Sequence, residues 1–378
     1  MALAPKLAIQ NLFQDKLGLF ATVLGIGFSM GLVTIQLGLY VSFEKMVTVM
    51  IDHAKVDLWM VPKASKSFED GPSLLDEQDR FRALSLAGVQ QIVPLVVGVA
   101  LWRASSGATS PIFLIGSSEQ DDVLRPWNVA AGNLGSLAVP GAVAIDSSYF
   151  SRLGTMGLGQ SAEINDQRVE VRETTHGIRS FTTMPYVFVS PDFARAATRT
   201  PNNKASYYMI RLNRGAGVVA IRDQIRARLT DAEVLTPDEF RSRSRTFWVS
   251  GTGAGAALLF GALLALVVGT VIVSQTLYSS TKDHLPEFVT LRAIGSSGGY
   301  IIEVIVIQAV ISAILGFCLA AAIAWIVVMA TAETALPVSM TVATTAILLL
   351  LTITMSVLSA ILAIVKVMRL DPVTVFAS

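Results

Sequence analysis

The sequence predicts a polytopic α-helical membrane protein with four transmembrane helices and a large α+β extracytoplasmic domain inserted between helices 1 and 2. Three observations carry this expectation. The 378 residues are 52% hydrophobic and only 15% charged, against roughly 25% charged residues in soluble domains, and the mean hydropathy is +0.58. The charge deficit is local: residues 17–42, 246–281, 304–332 and 334–365 contain no Asp, Glu, Lys or Arg. Each run exceeds the roughly 20 apolar residues that cross a bilayer core, where a charge at a helix centre costs roughly 2.5–3.5 kcal/mol. Finally, residues 44–245 hold most of the charge and alternate strand-like with helix-like patterns, as a mixed α/β domain requires.

Composition also excludes some classes. A net charge of +1 with no basic cluster gives no reason to expect nucleic acid as a partner. The single cysteine, Cys318, lies in the third apolar run, so no disulfide can staple the polar region. The first apolar run is longer than a signal-peptide core, follows Asp15 and precedes no A-x-A site, so it is expected to be retained as a spanning helix.

The elements follow in order. Residues 1–17 read as a cytoplasmic amphipathic helix: Pro5 suits a first helical position, and Ile9, Leu12, Phe13 and Leu17 fall on one face. Next come transmembrane helix 1 (18–43), the extracytoplasmic domain (44–247) and transmembrane helix 2 (248–280). A cytoplasmic loop (281–299) leads to transmembrane helix 3 (300–330), a short periplasmic turn (331–341), transmembrane helix 4 (342–367) and a cytoplasmic tail (368–378). Orientation follows from short-flank cations. Lys6 and Lys16, Lys282 and Arg292, and Lys366 and Arg369 mark the cytoplasmic side, whereas residues 331–341 contain neither Lys nor Arg. Arg241, Arg243 and Arg245 fall on the opposite side, but they follow a long translocated domain, where the rule weakens.

Within the domain, residues 57–62, 92–104, 111–116, 162–173, 186–189 and 207–212 read as strands, with a hairpin about Asn165-Asp166. Residues 191–198 and 217–229 have helical spacing, the second with Val218, Ile221, Ile225 and Leu229 along one stripe.

Catalytic and metal motifs find no support. "GSSGG" (295–299) matches the serine-hydrolase expression, but that motif needs a strand before it and a buried sheet beneath. His53, His176 and His284 are far apart and lack ligand spacing. No Walker-type loop occurs, so ATP and Mg are not expected as cofactors of this chain. Small residues do recur where helices could approach closely: Gly27 and Gly31 in helix 1, and Gly251, Gly253 and Gly255 opening helix 2. These glycines are candidates for helix packing or a dimer interface.

The polar island "HLPEFVTLRAIGSSGG" (284–299) carries more pattern than a connector needs. Pro286 and Glu287 suit a first turn, and Arg292 a last. Leu285, Phe288, Leu291 and Ile294 form an apolar stripe, and Gly295 supplies a stop. Two turns are marginal in water unless packed on something. Pattern alone leaves a helix lying on lipid and a helix docked on a protein equally placed.

Three stretches tip that balance. "LAIQNLFQDKLGLFATVLGIGFSMG" (7–31), "EFVTLRAIGSSGGYI" (287–301) and "RLDPVTVF" (369–376) resemble the opening, coupling segment and tail of MacB/FtsX-type ABC transporter permeases. Residues 159–195 look closer to the DevC-type exporter branch. The resemblance implies the type VII ABC, MacB-like architecture in the bacterial inner membrane, with both termini cytoplasmic. It further implies a homodimer working with two copies of a cytoplasmic ABC ATPase that binds ATP and Mg. Glu287, Phe288, Leu291, Arg292 and Ile294 would then form the ATPase-coupling helix, ended by Gly295. A periplasmic membrane-fusion adaptor and a TolC-like outer-membrane duct would complete a tripartite efflux system. The alternative is a mechanotransmission subunit that does no transport, serving lipoprotein extraction or regulation of a cell-wall hydrolase as in FtsX.

Overall fold

The computed structural model describes residues 3–70, 73–118, 120–133, 135–283 and 298–368. The chain divides into two compact units. One comprises Met1–Val41, Ala256–Ala332 and Val338–Ser378; the other comprises Ser42–Gly255 and Glu333–Pro337.

The first unit is helical. Helices α1 (Leu3–Gln14) and α2 (Lys16–His53) are followed, after the inserted domain, by α8 (Ala254–Asp283), α9 (Gly298–Thr331) and α10 (Val342–Met368). Helices α2, α8, α9 and α10 are each long and apolar enough to span a membrane. Asp15 separates α1 from α2, and its Oδ1 accepts the Gly18 amide at 2.9 Å, satisfying one of the orphan donors at the start of α2. The apolar stripe on α1 turns outward: Ile9 and Phe13 are exposed, while Ala8 and Asn11 are buried. An apolar face left bare on a helix that packs by its small residues suits lipid as a neighbour.

The inserted domain is built on a ten-stranded sheet in the order β12-β1-β11-β3-β4-β9-β6-β8-β5. The central strands are β1 (Leu58–Pro62), β3 (Val89–Ala104), β4 (Thr109–Gly116), β6 (Ala142–Asp146), β8 (Gln167–Thr175), β9 (Tyr186–Val189) and β11 (Tyr207–Leu212). Edge strands β5 (Val129–Gly132) and β12 (Ala232–Leu235) flank them, and β2 (Leu75–Asp76) pairs separately with β10 (Lys204–Ala205). Strand β7 (Ser161–Ile164) pairs with both β3 and β8, so β3, β4, β9, β6, β8 and β7 close into a ring. Closure removes free edges from those six strands.

The ring is filled by Val96, Trp102, Ile112, Leu114, Val143, Ile145, Val171 and Val187, with the short helix α4 (Phe150–Leu153) against it. Trp102 is 1% exposed, and its Nε1 donates to the Leu153 carbonyl at 2.9 Å, so the buried indole leaves no orphan donor. Helix α5 (Pro191–Thr198) is capped by Ser190 and lies over β3 and β4. Beyond the ring, β12, β1, β11 and the first half of β3 are covered on one face by α3 (Glu77–Leu84) and α6 (Val218–Arg226), through Ala83, Ile221 and Ile225. The opposite core contains Trp59, Tyr207 and Phe240, together with Met50 and Ile51 from the last turns of α2. Phe240 belongs to α7 (Pro237–Arg245).

Because Trp102 fills the ring and closes its own hydrogen bond there, Trp102→Ala should destabilise the inserted domain by about 3–5 kcal/mol. A lowered thermal midpoint of the purified full-length protein reads this out; an unchanged midpoint would mean the ring is not a packed core.

Candidate functional site

The chain enters the inserted domain along α2 and leaves it along α7, and these two ends meet. Both are fixed by local sequence. In α7, Thr236 caps the helix: its hydroxyl accepts the Glu239 amide at 3.2 Å while Glu239 Oε2 accepts the Thr236 amide at 2.8 Å, with Pro237 in the first turn. Arg243 Nη1 lies 2.8 Å from Glu233 Oε2 on β12 and holds the Glu233 carboxyl below its usual range. Across the seam, Arg241 Nε donates to Asp52 Oδ1 at 2.5 Å, and Asp52 Oδ2 accepts the Thr48 hydroxyl at 2.7 Å. One turn further along α7 and about two turns back along α2, Arg245 Nε stands 3.7 Å from Glu44 Oε1. These ion pairs are part-exposed, so each contributes only about 0–1 kcal/mol. They fix register more than they add stability.

The apolar half of the seam is a three-ring stack. Phe181 lies edge-on to Phe43 of α2, with centroids 5.5 Å apart, and edge-on to Trp248, with centroids 4.5 Å apart. Trp248 sits in a π-helical turn, Thr246–Gly251, that follows α7 directly. Such turns interrupt the regular ladder and are frequent at functional sites. Phe181 comes from the loop joining β8 to β9, so a third element is wedged between the two helix ends.

That loop is held from its own side. Asp146 Oδ2 accepts the Ile178 amide at 2.7 Å and the Thr175 hydroxyl at 3.0 Å; the Tyr149 hydroxyl accepts the Ser180 amide at 3.1 Å. Glu69 reaches in from the segment after β1. Ser180 Oγ donates to Glu69 Oε1 at 2.8 Å, Thr182 Oγ1 donates to Oε2 at 3.0 Å, and the Tyr186 hydroxyl also donates to Oε1. Ser180 and Thr182 flank Phe181 directly. One carboxylate therefore grips both neighbours of the ring that separates α2 from the π-turn. Burial pushes the Glu69 carboxyl up, and the three hydroxyl donors only partly offset this.

Residues singled out from the sequence fall as follows. A Cβ at Gly27 would stand 2.6 Å from Leu319 Cδ2 of α9, and one at Gly31 would stand 3.7 Å from Ile323, so both lie where α2 packs on α9. A Cβ at Gly251 or Gly255 would instead meet the adjoining turn, at Phe247 and Val249 respectively. Glu287, Phe288, Leu291, Arg292, Ile294 and Gly295 lie outside the described residues. Ser147 Oγ and His176 Nδ1 lie 3.3 Å apart, but both Asp146 oxygens are engaged by backbone amides and Thr175, not by His176. No base-orienting carboxylate is thus aligned there. Among the described residues, no group of three or more His, Cys, Asp and Glu could hold a metal ion.

The geometry describes a membrane subunit whose spanning helices bracket an inserted α+β domain. Residues 19–228 match the MacB-like periplasmic core domain, and residues 259–372 match the FtsX-like permease C-terminal domain. The chain belongs to the MacB/FtsX-type ABC transporter permease family. Among curated proteins, no sequence matches the chain. Solved structures similar to it include the periplasmic region of MacB from Actinobacillus actinomycetemcomitans, at 11% identity and TM-score 0.38, covering 51% of this chain and 94% of that one. The extracellular domain of the noncanonic ABC-type transporter YknZ from Gram-positive bacteria matches at 17% identity and TM-score 0.36, covering 48% and 99%. A domain of a putative permease protein from Porphyromonas gingivalis matches at 13% identity and TM-score 0.33, covering 50% and 91%.

The raised Glu69 carboxyl makes stability depend on pH with a defined sign. Above the ordinary glutamate value of 4.5 the native state holds the proton longer than the unfolded chain does. The contribution of this group is therefore greatest below that value and falls as pH rises through the folded value. Glu69→Gln should remove that part of the slope. The wild-type midpoint minus the variant midpoint should fall as pH rises from about 4.5 to about 8, because Gln stays neutral throughout; parallel curves would contradict the assignment.

Proposed function

We propose that this chain is the transmembrane subunit of an ABC exporter, transmitting ATP-driven motion from a separate cytoplasmic ATPase to its outer domain. In this reading the outer domain drives a tripartite efflux system with a membrane-fusion adaptor and a TolC-like duct, and the chain works as a homodimer in the inner membrane. Permeases of this family generally work with ABC ATPase partners, and the ATP and Mg would be bound there. This chain's own task is then mechanical.

The observation that supports this best is the seam. Helix α2 is continuous from Lys16 to His53, and its last turns are joined to α7 and the π-turn by Asp52–Arg241, Glu44–Arg245 and the Phe181 wedge. A continuous α-helix carries displacement along its axis through an unbroken hydrogen-bond ladder. Displacement along α2 would thus reach the seam that its C-terminal part makes with α7 and Phe181. Force would enter through the 284–299 segment, where Glu287, Phe288, Leu291 and Arg292 meet the ATPase.

The double variant Glu287→Lys, Leu291→Asp reverses a charge and places another on the apolar stripe. It should still insert into the membrane at wild-type level but lose co-purification of the ATPase. Wild-type recovery of the ATPase with this variant would remove the coupling assignment.

A further inference from the structure

We propose that the inserted domain carries a binding cavity for an organic cation, a protonated amine on an apolar body, with Glu69 as its counter-ion. The cavity has a volume of about 400 Å³, within the roughly 300–1,000 Å³ of small-molecule sites. Its apolar walls come from Phe68, Val97, Val99 and Phe113, and its polar groups include Glu69 and Arg199. The Phe68 and Phe113 rings are tilted, with centroids 6.3 Å apart, and both are buried, so that wall is preformed. Val99 is 58% exposed, which leaves the cavity open on its side.

Charge decides the class of ligand. Glu69 receives three hydroxyl donors, but among the described residues no Lys, Arg or His makes an ion pair with it. Hydroxyls satisfy lone pairs without neutralising the charge. A carboxylate offers about four acceptor positions, so one remains for an N–H donor. Asp70 also lines the cavity, but its Oδ2 is engaged by the Lys66 amide at 2.7 Å. Arg199 is the opposing charge. It is exposed, is held at φ 55° just past the end of α5, and lines a neighbouring groove as well as this cavity. The balance is two carboxylates against one guanidinium, with the desolvated carboxylate on the apolar side. An ammonium on an apolar body answers both features.

The site reaches further than its own walls. Glu69 also holds Ser180 and Thr182 on either side of Phe181, so a cation drawn to Glu69 acts on the loop that wedges the seam. That consequence rests on the proposed transmission function; binding itself does not.

Equilibrium binding of naphthylethylamine and of its neutral analogue naphthylethanol to the purified full-length protein tests this without the ATPase. The ammonium should bind saturably and about tenfold or more tighter than the alcohol, as expected for a charge-assisted hydrogen bond. Glu69→Gln should erase that preference, and Val99→Trp, which fills the cavity from an exposed wall position, should weaken both ligands. Equal affinities in the wild type, a preference that survives Glu69→Gln, or unchanged ammonium binding in Val99→Trp would each overturn the proposal. Val99→Trp keeps the test decisive if Glu69→Gln lowers stability. Failure here leaves the exporter reading intact, because the ATPase co-purification test does not depend on this cavity.

Discussion

Phe181 stands between Phe43 on α2 and Trp248 in the π-turn, and the proposed transmission of motion depends on that contact. Edge-on aromatic pairs contribute about 0.5–1.5 kcal/mol each beyond area burial. Two of them, with part-exposed ion pairs alongside, hold the register of the seam. An all-ion joint would be screened by salt. An all-apolar joint would slide without a preferred position. The seam combines both, and the π-turn supplies the irregular backbone at which α7 gives way to α8.

A joint transmits only if what lies beyond it is stiff. The closed ring of β3, β4, β9, β6, β8 and β7 supplies that, because ring closure leaves those strands no free edges and Trp102 fills the interior with its polar atom satisfied. The Phe181 loop springs from this ring, between β8 and β9, and is pinned to it by Asp146 and Tyr149. Glu69 ties the same loop to the segment after β1. The desolvated carboxylate is an expensive way to hold a loop. Its cost is reasonable where the hold must respond to something, and the cavity on whose wall Glu69 lies offers an input.

Much of the fold was legible in the sequence, and the reasons are local. Uncharged runs give the four long helices directly. Apolar, β-branched runs bounded by turn residues give β1, β3, β4, β8, β9 and β11, and Asn165-Asp166 does form the hairpin turn, at φ 47° and 65°. Strands β6 (AVAID) and β12 (AEVL) were missed because they carry alanine and no aromatic residue, unlike the equally short and buried β1 and β9. Helix α7 was missed although Thr236-Pro237-Asp238-Glu239 spells a capping box; that signal could have found it. The seam and the Glu69 node were not legible. Asp52 and Arg241 are 189 residues apart, and Glu69 and Ser180 are 111 apart. Pairings at such separations are set by ring closure and sheet order, not by any local pattern. Gly251 and Gly255 have the spacing of a packing face; within the chain, a Cβ on them would meet Phe247 and Val249 of the adjoining π-turn.

In the proposed function, Phe181 passes motion from the helices to the outer domain. Spin labels at Asn202→Cys, an exposed loop position, in a Cys318→Ser background would report the distance between the two copies of the proposed dimer. Measured in complex with the ATPase, ATP should shift that distance in the otherwise wild-type protein. Phe181→Ala should abolish the shift while ATP hydrolysis continues. An ATP-dependent shift that persists undiminished in Phe181→Ala would contradict the account.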